Sequence, residues 1–147
     1  MESLPRTVLL AEHMADEVEL IRGVVAPFAP RIRLEVVRSG REALQVLGGE
    51  LADLDRPAYS LPGMTFLESD LPDISGCEVL RWIRQHPRLR GMIVVLLVGP
   101  EAEDQVQCAY QLKVNSVLLK HPLFDMPEVC HSILRYWFDY NQPPILG

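Results

Sequence analysis

The sequence has few cysteines and no long apolar run, and each scarcity excludes a class of protein. The three cysteines (Cys77, Cys108 and Cys130) are widely spaced, odd in number and without a CxxC motif. They predict reduced side chains rather than a disulfide framework or a zinc site. No apolar stretch approaches the ~18 residues that a membrane span needs. The opening residues lack the pattern of a signal peptide, because their short apolar piece runs straight into Glu12 and His13. We therefore expect a cytoplasmic protein with no membrane association.

Basic residues are also scarce, and among them lysine is the rarer. The net charge is −6, with 14 basic and 20 acidic side chains. This balance argues against nucleic-acid binding, which draws most of its affinity from a basic surface. Only Lys113 and Lys120 are lysines, so a lysine at a special position is informative. The 147 residues, 48% of them apolar, are enough for one domain with a full core. No repeat or second domain is visible, and we predict a single domain over 1–147.

Apolar runs alternate with amphipathic segments along the chain, which predicts five strands and five helices. The loop between the second helix and the third strand is long (about 49–62) and contains two prolines. Ser75 and Glu78 form a capping-box pattern, and Asp125 is placed to cap the last helix. The strands are predicted at 7–11, 31–37, 64–68, 92–98 and 116–119. The helices are predicted at 14–28, 40–48, 75–85, 101–112 and 126–140, the last followed by a tail to 147.

Apolar strands joined by crossover helices predict an α/β protein with a parallel sheet covered on both faces. Right-handed connections favour the flavodoxin-like, doubly wound (βα)5 fold, with three αβα layers and strand order 2-1-3-4-5. In such sheets a site lies beyond the carboxyl ends of the strands, where the winding reverses. The residues that follow strands one and three are therefore the candidates, namely Glu12, His13 and the segment 68–70.

Three segments resemble the receiver domain of two-component response regulators. "VLLAEHMADEVELI" resembles the family's first strand, acidic pair and first helix. "FLESDLPDISGCEVLRWIR" is similar to its phosphoacceptor strand and the following turn, and "VNSVLLK" to its fifth strand with an essential lysine. The loop 49–62 and the ending "ILRYWFDYNQPP" look most like single-domain regulators associated with bacterial phytochromes. The resemblance covers nearly the whole chain.

The resemblance implies a site in which two acids and an aspartate hold Mg²⁺, and the aspartate takes a phosphoryl group from a histidine kinase. Glu12 matches the first acid, but His13 stands where the second is expected. Glu68, four residues before Pro72, occupies the phosphoacceptor position. Imidazole is a poor ligand for Mg²⁺, which prefers oxygen. We therefore expect weak or absent Mg²⁺ binding and no resident metal or cofactor.

The positions that bind and report the phosphoryl group are altered too. The resemblance implies a hydroxyl at the end of strand four, where the sequence has Leu97. It implies an aromatic switch residue three positions before the lysine, where the sequence has Val117. Lys120 is retained. With both switch positions changed, the leading hypothesis is a non-catalytic pseudo-receiver that acts through protein contacts, with Glu68 as a fixed charge beside Lys120.

Four alternatives remain open at this point. Glu68 is equally compatible with simple charge balance against Lys120. The chain is an active receiver if a kinase phosphorylates Glu68 or Asp70. It is a small-ligand sensor if the flavodoxin-like cleft binds a metabolite, although no glycine-rich or basic phosphate cradle follows a strand. Finally, Glu12, His13 and Glu68 would form a metal site if they converge.

The last helix carries large apolar side chains on more than one face. With Val129 at the centre of its core face, Ile133, Tyr136 and Tyr140 fall beside it at the 100° helical step. Leu134, Trp137 and Phe138 then lie at the edge or far side, which predicts an exposed apolar patch. We expect a homodimer through this patch. The resemblance implies a sensor histidine kinase or phytochrome-type kinase as a further partner.

Overall fold

The fold is known from a computed structural model that describes residues 6–50, 62–121, 125–141 and 146. Five parallel strands form one sheet in the order β2-β1-β3-β4-β5. The strands are β1 (Arg6–Ala11), β2 (Ile32–Val37), β3 (Pro62–Glu68), β4 (Ile93–Val98) and β5 (Ser116–Leu119). The helices are α1 (Ala15–Val25), α2 (Gly40–Gln45), α3 (Gly76–Gln85), α4 (Glu103–Gln111) and α5 (Met126–Arg135). A 3-10 turn (Ala26–Phe28) follows α1, and π-helical turns (Val46–Glu50 and Tyr136–Tyr140) follow α2 and α5. The predicted fold class and strand order are confirmed.

Helices cover both faces of the sheet. One core cluster joins the sheet to α2, α3 and α4, and the other joins it to α1 and α5. β4 is buried at every position, as its unbroken apolar run predicts. None of the helices in the described ranges has the length and apolarity that a membrane crossing requires.

Short side chains cap the helices where the sequence places them. The Ser75 hydroxyl accepts a hydrogen bond from the Glu78 N–H at 3.2 Å, as the capping-box pattern predicts. The Asp125 carboxylate does the same for the Glu128 N–H at 3.1 Å. Asp73, in the turn before α3, accepts from the Gly40 N–H at 2.8 Å. These caps fix where α3 and α5 begin, and therefore where the loops that precede them must lie.

The structure differs from the predicted loop at about 49–62 at both ends of that loop. Gly49 belongs to the π-helical turn after α2, and Pro62 begins β3, where it pairs with Thr7 across the sheet. A proline is tolerated at the first residue of a strand because its missing N–H costs no ladder bond there. The interior of the loop, 51–61, lies outside the described residues, as does most of the tail beyond 141.

The predicted orientation of the last helix is wrong. Leu134 is fully buried, and Cys130 beside it is 1% exposed. Tyr136 and Tyr140, placed in the core from sequence, are 52% and 71% exposed. A cysteine is among the most buried side chains, whereas a tyrosine hydroxyl needs water or a partner. The helix therefore centres its core face on Cys130 and Leu134, and Leu134 is not part of an exposed patch.

The other two residues assigned to that patch are half-buried. Trp137 and Phe138 pack against the core cluster that α1 and α5 share. The Phe138 ring lies against Gly63, where an added Cβ would stand 3.3 Å from the ring. Neither side chain forms the free apolar surface that the sequence predicted.

One arginine, Arg84, donates hydrogen bonds to the segments that precede β4 and β5, at the amino ends of these strands. The Arg84 guanidinium, on α3, donates to the carbonyl oxygens of Arg90 and Met92 before β4. It also donates to the carbonyl oxygens of Leu112 and Lys113 and to the side chain of Asn115, all before β5, at 3.0–3.1 Å. Arg84 therefore ties the amino ends of β4 and β5 to α3 with neutral acceptors.

Candidate functional site

Four side chains meet beyond the carboxyl ends of the strands. Glu12 follows β1, Glu68 ends β3, Lys120 follows β5, and Glu17 lies in the first turn of α1. The Lys120 ammonium donates to both Glu17 carboxylate oxygens, at 2.8 and 3.1 Å, and to Oε2 of Glu68. It lies 3.7 Å from Oε2 of Glu12. Lys120 therefore contacts three carboxyl groups at once, and we call these four residues the carboxylate–lysine cluster.

Glu12 is the most buried member, with no exposed surface. Its Oε1 accepts hydrogen bonds from the N–H groups of His13 and Met14, at 3.0 and 3.1 Å. Its Oε2 is a buried oxygen without a hydrogen-bond partner among the described residues. Burial above all, and then the neighbouring Glu17 and Glu68 carboxyl groups, raise the pKa of Glu12 to about 9. A proton on Oε2 would give that oxygen a bond to donate, so Glu12 is a neutral acid at pH 7.

Glu17 and Lys120 are stabilised in their charged forms, whereas Glu12 is stabilised in its neutral form. Burial alone would raise the pKa of Glu17, but hydrogen bonds from Glu12 and Lys120 outweigh it, and the pKa falls below its ordinary value. Burial alone would lower the pKa of Lys120, but hydrogen bonds to Glu17 and Glu68 reverse this, and the pKa rises. The carboxylates and the ammonium thus stabilise each other's charged forms.

The backbone holds Glu68 tightly in place. The Asp70 N–H donates to Oε1 of Glu68 at 3.2 Å, while Oε2 faces Lys120. The Ser69 N–H donates to the Leu97 carbonyl oxygen, and the Ser69 carbonyl oxygen accepts from the Gly76 N–H, both at 2.9 Å. A Cβ on Gly76 would stand 2.4 Å from the Glu68 carbonyl oxygen, so only glycine fits at the start of α3. Glu68 is 3% exposed and its carboxylate is fixed.

Not every predicted site residue joins the cluster. The His13 and Asp70 side chains are exposed, and each residue contributes its backbone N–H rather than its side chain. The alternative of a metal site formed by Glu12, His13 and Glu68 is not supported, because Glu17 rather than His13 lies beside the other two carboxyl groups. Sequence reasoning missed Glu17. Its position in the first turn of the helix after β1 was the available signal, since that turn borders the site edge of the sheet.

Two apolar residues, Leu97 and Val117, occupy the positions where the resemblance to receiver domains implied a hydroxyl group and an aromatic ring. Leu97, on β4, is 3% exposed and pairs with Glu68 on one side and Leu118 on the other. Val117 is half-buried and pairs with Leu96. Leu97 also lines a cavity of about 300 Å³ beside Lys120. The other lining residues are Glu17, Leu20, Ile21, His121, Met126 and Cys130.

The cluster offers oxygen ligands, but it does not fit a divalent ion as it stands. Carboxylate oxygens of Glu12, Glu17 and Glu68 all lie within 4.8 Å of one another, a spacing that a metal ion could bridge. The Lys120 ammonium is already hydrogen-bonded to two of these groups. Glu12 is neutral at pH 7 because burial raises its pKa, and a metal binds the ionised form. A divalent ion would have to displace Lys120 and deprotonate Glu12.

No family model matches the chain, but sequence relatives and structural neighbours do. The chain is 33% identical to a probable methanogenesis regulatory protein, FilR2, of Methanothrix harundinacea, over 95% of this chain and 88% of that protein. It is 30% identical to the response regulator Rcp1 of Synechocystis, over 92% of this chain and 90% of Rcp1.

Solved structures agree with the sequence relatives. The Mn²⁺-bound form of Rcp1 superposes with a TM-score of 0.83 at 29% identity, covering 95% of this chain and 99% of that one. The phosphorylated cyanobacterial phytochrome response regulator RcpA superposes with a TM-score of 0.84 at 27% identity, covering 96% and 99%. These sequence relatives and the superposition of nearly the whole fold lead to one conclusion: the chain belongs to the response regulator receiver family, in its phytochrome-associated type.

Proposed function

We propose that this receiver is a pseudo-receiver of two-component signalling, in which Lys120 provides the positive charge that a metal ion would otherwise bring. The observation that carries the proposal is the contact of one ammonium group with Glu12, Glu17 and Glu68. Mn²⁺-bound and phosphorylated structures exist for neighbours of this chain. In this chain the Lys120 ammonium balances part of the carboxylate charge without either group.

The chemistry of phosphoryl transfer supports this reading. The reaction depends on an acceptor oxygen, a metal ion and donors that neutralise the moving charge. Here Oε2 of Glu68 is hydrogen-bonded to Lys120, so the acceptor and the cation already hold each other. Leu97 offers no hydrogen bond to a phosphoryl oxygen. Glu68 then acts as a permanent carboxylate at the phosphoacceptor position, and the domain signals through protein contacts rather than as an enzyme.

The test is incubation with acetyl phosphate and Mg²⁺, followed by intact-mass measurement. We expect no acid-labile adduct of roughly 80 Da on the wild type. The matched control is the triple variant His13→Asp, Glu68→Asp, Leu97→Thr, which restores the three altered groups and should gain the adduct. Glu68→Asp alone should gain little. An adduct on the wild type, mapped to Glu68 or Asp70, would establish the active-receiver alternative instead.

A small-ligand sensor is the second candidate, because of the cavity beside Lys120. Its body is apolar (Leu20, Ile21, Met126), and its mouth carries Glu17 and Lys120. About 300 Å³ is the lower limit for a small-molecule site. A fragment screen by protein NMR decides: shifts confined to these residues support the sensor, and a library without such shifts rejects it.

We propose a homodimer as the form in which the domain meets its partners, through the outer side of α5. Tyr136 is 52% exposed and borders a groove of about 690 Å³ between α5 and the start of β5. The same groove is lined by Val129 and Ile133. Sedimentation of Tyr136→Glu, which should be a folded monomer, tests the interface. Gln85→Glu, on the exposed side of α3, adds the same charge elsewhere and should stay dimeric. A monomeric wild type at tens of micromolar would contradict the proposal.

A histidine kinase or a phytochrome-type kinase remains the proposed upstream partner.

A further inference from the structure

Two cysteines that are 31 residues apart in sequence meet across the packing of α3 on α4. The Cys77 thiol, at the start of α3, donates to the Gln105 carbonyl oxygen at 3.4 Å. Cys108 follows Gln105 by one helical turn, so it lies on the same side of α4. From α3, one turn beyond Cys77, the Arg81 guanidinium donates to the Cys108 sulfur at 3.7 Å. These two contacts fix the thiols beside each other.

We propose that Cys77 and Cys108 form a reversible disulfide when the protein meets a hydroperoxide, a modification site that is independent of the carboxylate–lysine cluster. The two positions are on adjacent helices of one chain, so the bond would be intramolecular. The spacing of the cysteines in the sequence gives no sign of it, since only the packing of α3 on α4 brings them together.

The two sulfurs have different surroundings, and these assign their roles. Cys108 is half-buried and has the Arg81 guanidinium beside it. A peroxide can reach this half-buried sulfur, and the guanidinium places a positive charge beside it. Cys77 is 4% exposed, and burial, then the Cys108 thiol, raises the pKa of Cys77 to about 12. Cys108 therefore attacks the peroxide, and Cys77 resolves the product.

The reaction balances in two steps with one equivalent of hydroperoxide. The Cys108 sulfur attacks the O–O bond, which breaks; the sulfur becomes a sulfenic acid, and the leaving oxygen departs as water or an alcohol. The Cys77 thiol then attacks that sulfur, losing its proton as the S–S bond forms and the sulfenic oxygen leaves as water. The peroxide gains two electrons, and the two thiols lose them.

The third cysteine is a built-in control. Cys130 is 1% exposed and lies in the core cluster on the opposite face of the sheet. Burial raises the pKa of Cys130 to about 11. It has neither a cation nor a second thiol among the contacts described for it, so oxidation of the folded protein should leave it untouched.

The test treats the full chain with stoichiometric hydrogen peroxide under native conditions. We expect a mass loss of about 2 Da, reversed by a thiol reductant, and a Cys77–Cys108 link in non-reducing peptide maps. Cys77→Ala should stop at the sulfenic acid, trapped by dimedone on Cys108. Cys130→Ala should form the link at the wild-type rate. A link that involves Cys130, or a link only between two chains, would overturn the proposal.

A second set of variants tests the role of the guanidinium without touching either sulfur. Arg81→Gln should slow link formation at least threefold, and Arg81→Lys should restore most of the rate, because it returns the positive charge. Circular dichroism confirms that each variant is folded. Equal rates in wild type and Arg81→Gln would show that Cys108 is not activated as inferred. In urea the three cysteines should pair without preference, and a preference that persists there would mean that the fold does not direct the reaction.

Discussion

The neutral state of Glu12 makes a sharp prediction about stability and pH. Glu12 has an ordinary pKa of 4.5, and burial raises its pKa in the folded protein to about 9. Between these values the folded protein holds one proton that the unfolded chain has released. The stability that this group contributes is full below pH 4.5 and is lost as the pH rises toward 9. Glu12→Gln removes the titration but keeps the shape of the neutral acid.

The size of the effect follows from the one proton by which the folded and unfolded states differ. Each pH unit between the two pKa values lowers the free energy of unfolding by about 1.4 kcal/mol. From pH 6 to pH 8 the wild type should therefore lose up to about 3 kcal/mol that Glu12→Gln does not lose. Glutamine can still accept from the His13 and Met14 N–H groups through its oxygen. Its amide N–H can donate a hydrogen bond toward Glu17 and Glu68, as the protonated carboxyl of Glu12 would.

The assay is urea denaturation of both proteins at pH 6 and at pH 8, at constant ionic strength. The quantity of interest is the difference between their two pH-dependent changes, because every other titrating group is common to both. Glu19→Gln is the matched control, since the Glu19 side chain is 70% exposed and forms a surface ion pair with Arg22. It should follow the wild type. If wild type and Glu12→Gln lost the same stability from pH 6 to pH 8, Glu12 would be ionised and the reasoning refuted.

Three further outcomes test the packing and the cluster. Lys120→Met should lose about 3–5 kcal/mol in metal-free buffer, because it leaves buried carboxylates without a cation, and Mn²⁺ should restore part of that loss while leaving the wild type unchanged. An equal response of both proteins to Mn²⁺ would contradict the role of Lys120. Gly76→Ala should lose about 1–3 kcal/mol, because its Cβ meets the backbone of β3, whereas Gly23→Ala on α1, with open space around it, should gain up to about 1 kcal/mol. Equal effects would mean that the turn before α3 yields easily. Leu134→Ala should lose about 2–5 kcal/mol and Tyr136→Ala less than about 0.5 kcal/mol, both by urea denaturation at a dilution at which the proposed dimer is dissociated, and the reverse order would restore the discarded orientation of α5.

The parts of the fold that depend on local sequence were predictable. Apolar runs bounded by polar turns located the five strands, and the Ser75–Glu78 pattern located the start of α3. Both signals act within a few residues, so no tertiary information was needed. The strand order followed from the alternation of strands and helices and the handedness of crossovers.

The site was predicted in part, and the omission has a physical cause. Glu12 and Glu68 stand at the carboxyl ends of the adjacent strands β1 and β3, and Lys120 follows β5, which lies on the far side of β4. The topology therefore places all three residues at one edge of the sheet. Glu17 reaches the same place from a helix. Its contact with Lys120 depends on how α1 is rotated against the sheet, which a strand-end argument does not specify.

The last helix shows the limit of a helical wheel. The wheel gives the relative angles of side chains, but the choice of its centre is a separate decision. Centring it on Val129 placed two tyrosines inside. Centring it on Cys130 and Leu134 agrees with the observed burial and leaves Tyr136 outside.

The two ends of β5 are held by different kinds of contact. Hydrogen bonds from Arg84 hold the amino end, and the carboxylate–lysine cluster holds the carboxyl end. The amino end of β5 is held by neutral hydrogen bonds from one guanidinium, and these do not change between pH 5 and pH 9. The other end, at Lys120, is held by ion pairs to Glu17 and Glu68, whose strength depends on the charges of these carboxyl groups. The five residue steps from Asn115 to Lys120, at about 3.3 Å each, separate the two supports by about 17 Å. Weakening the cluster would therefore remove side-chain support from the carboxyl end of β5, next to the exposed Leu119, and leave the support at its amino end in place.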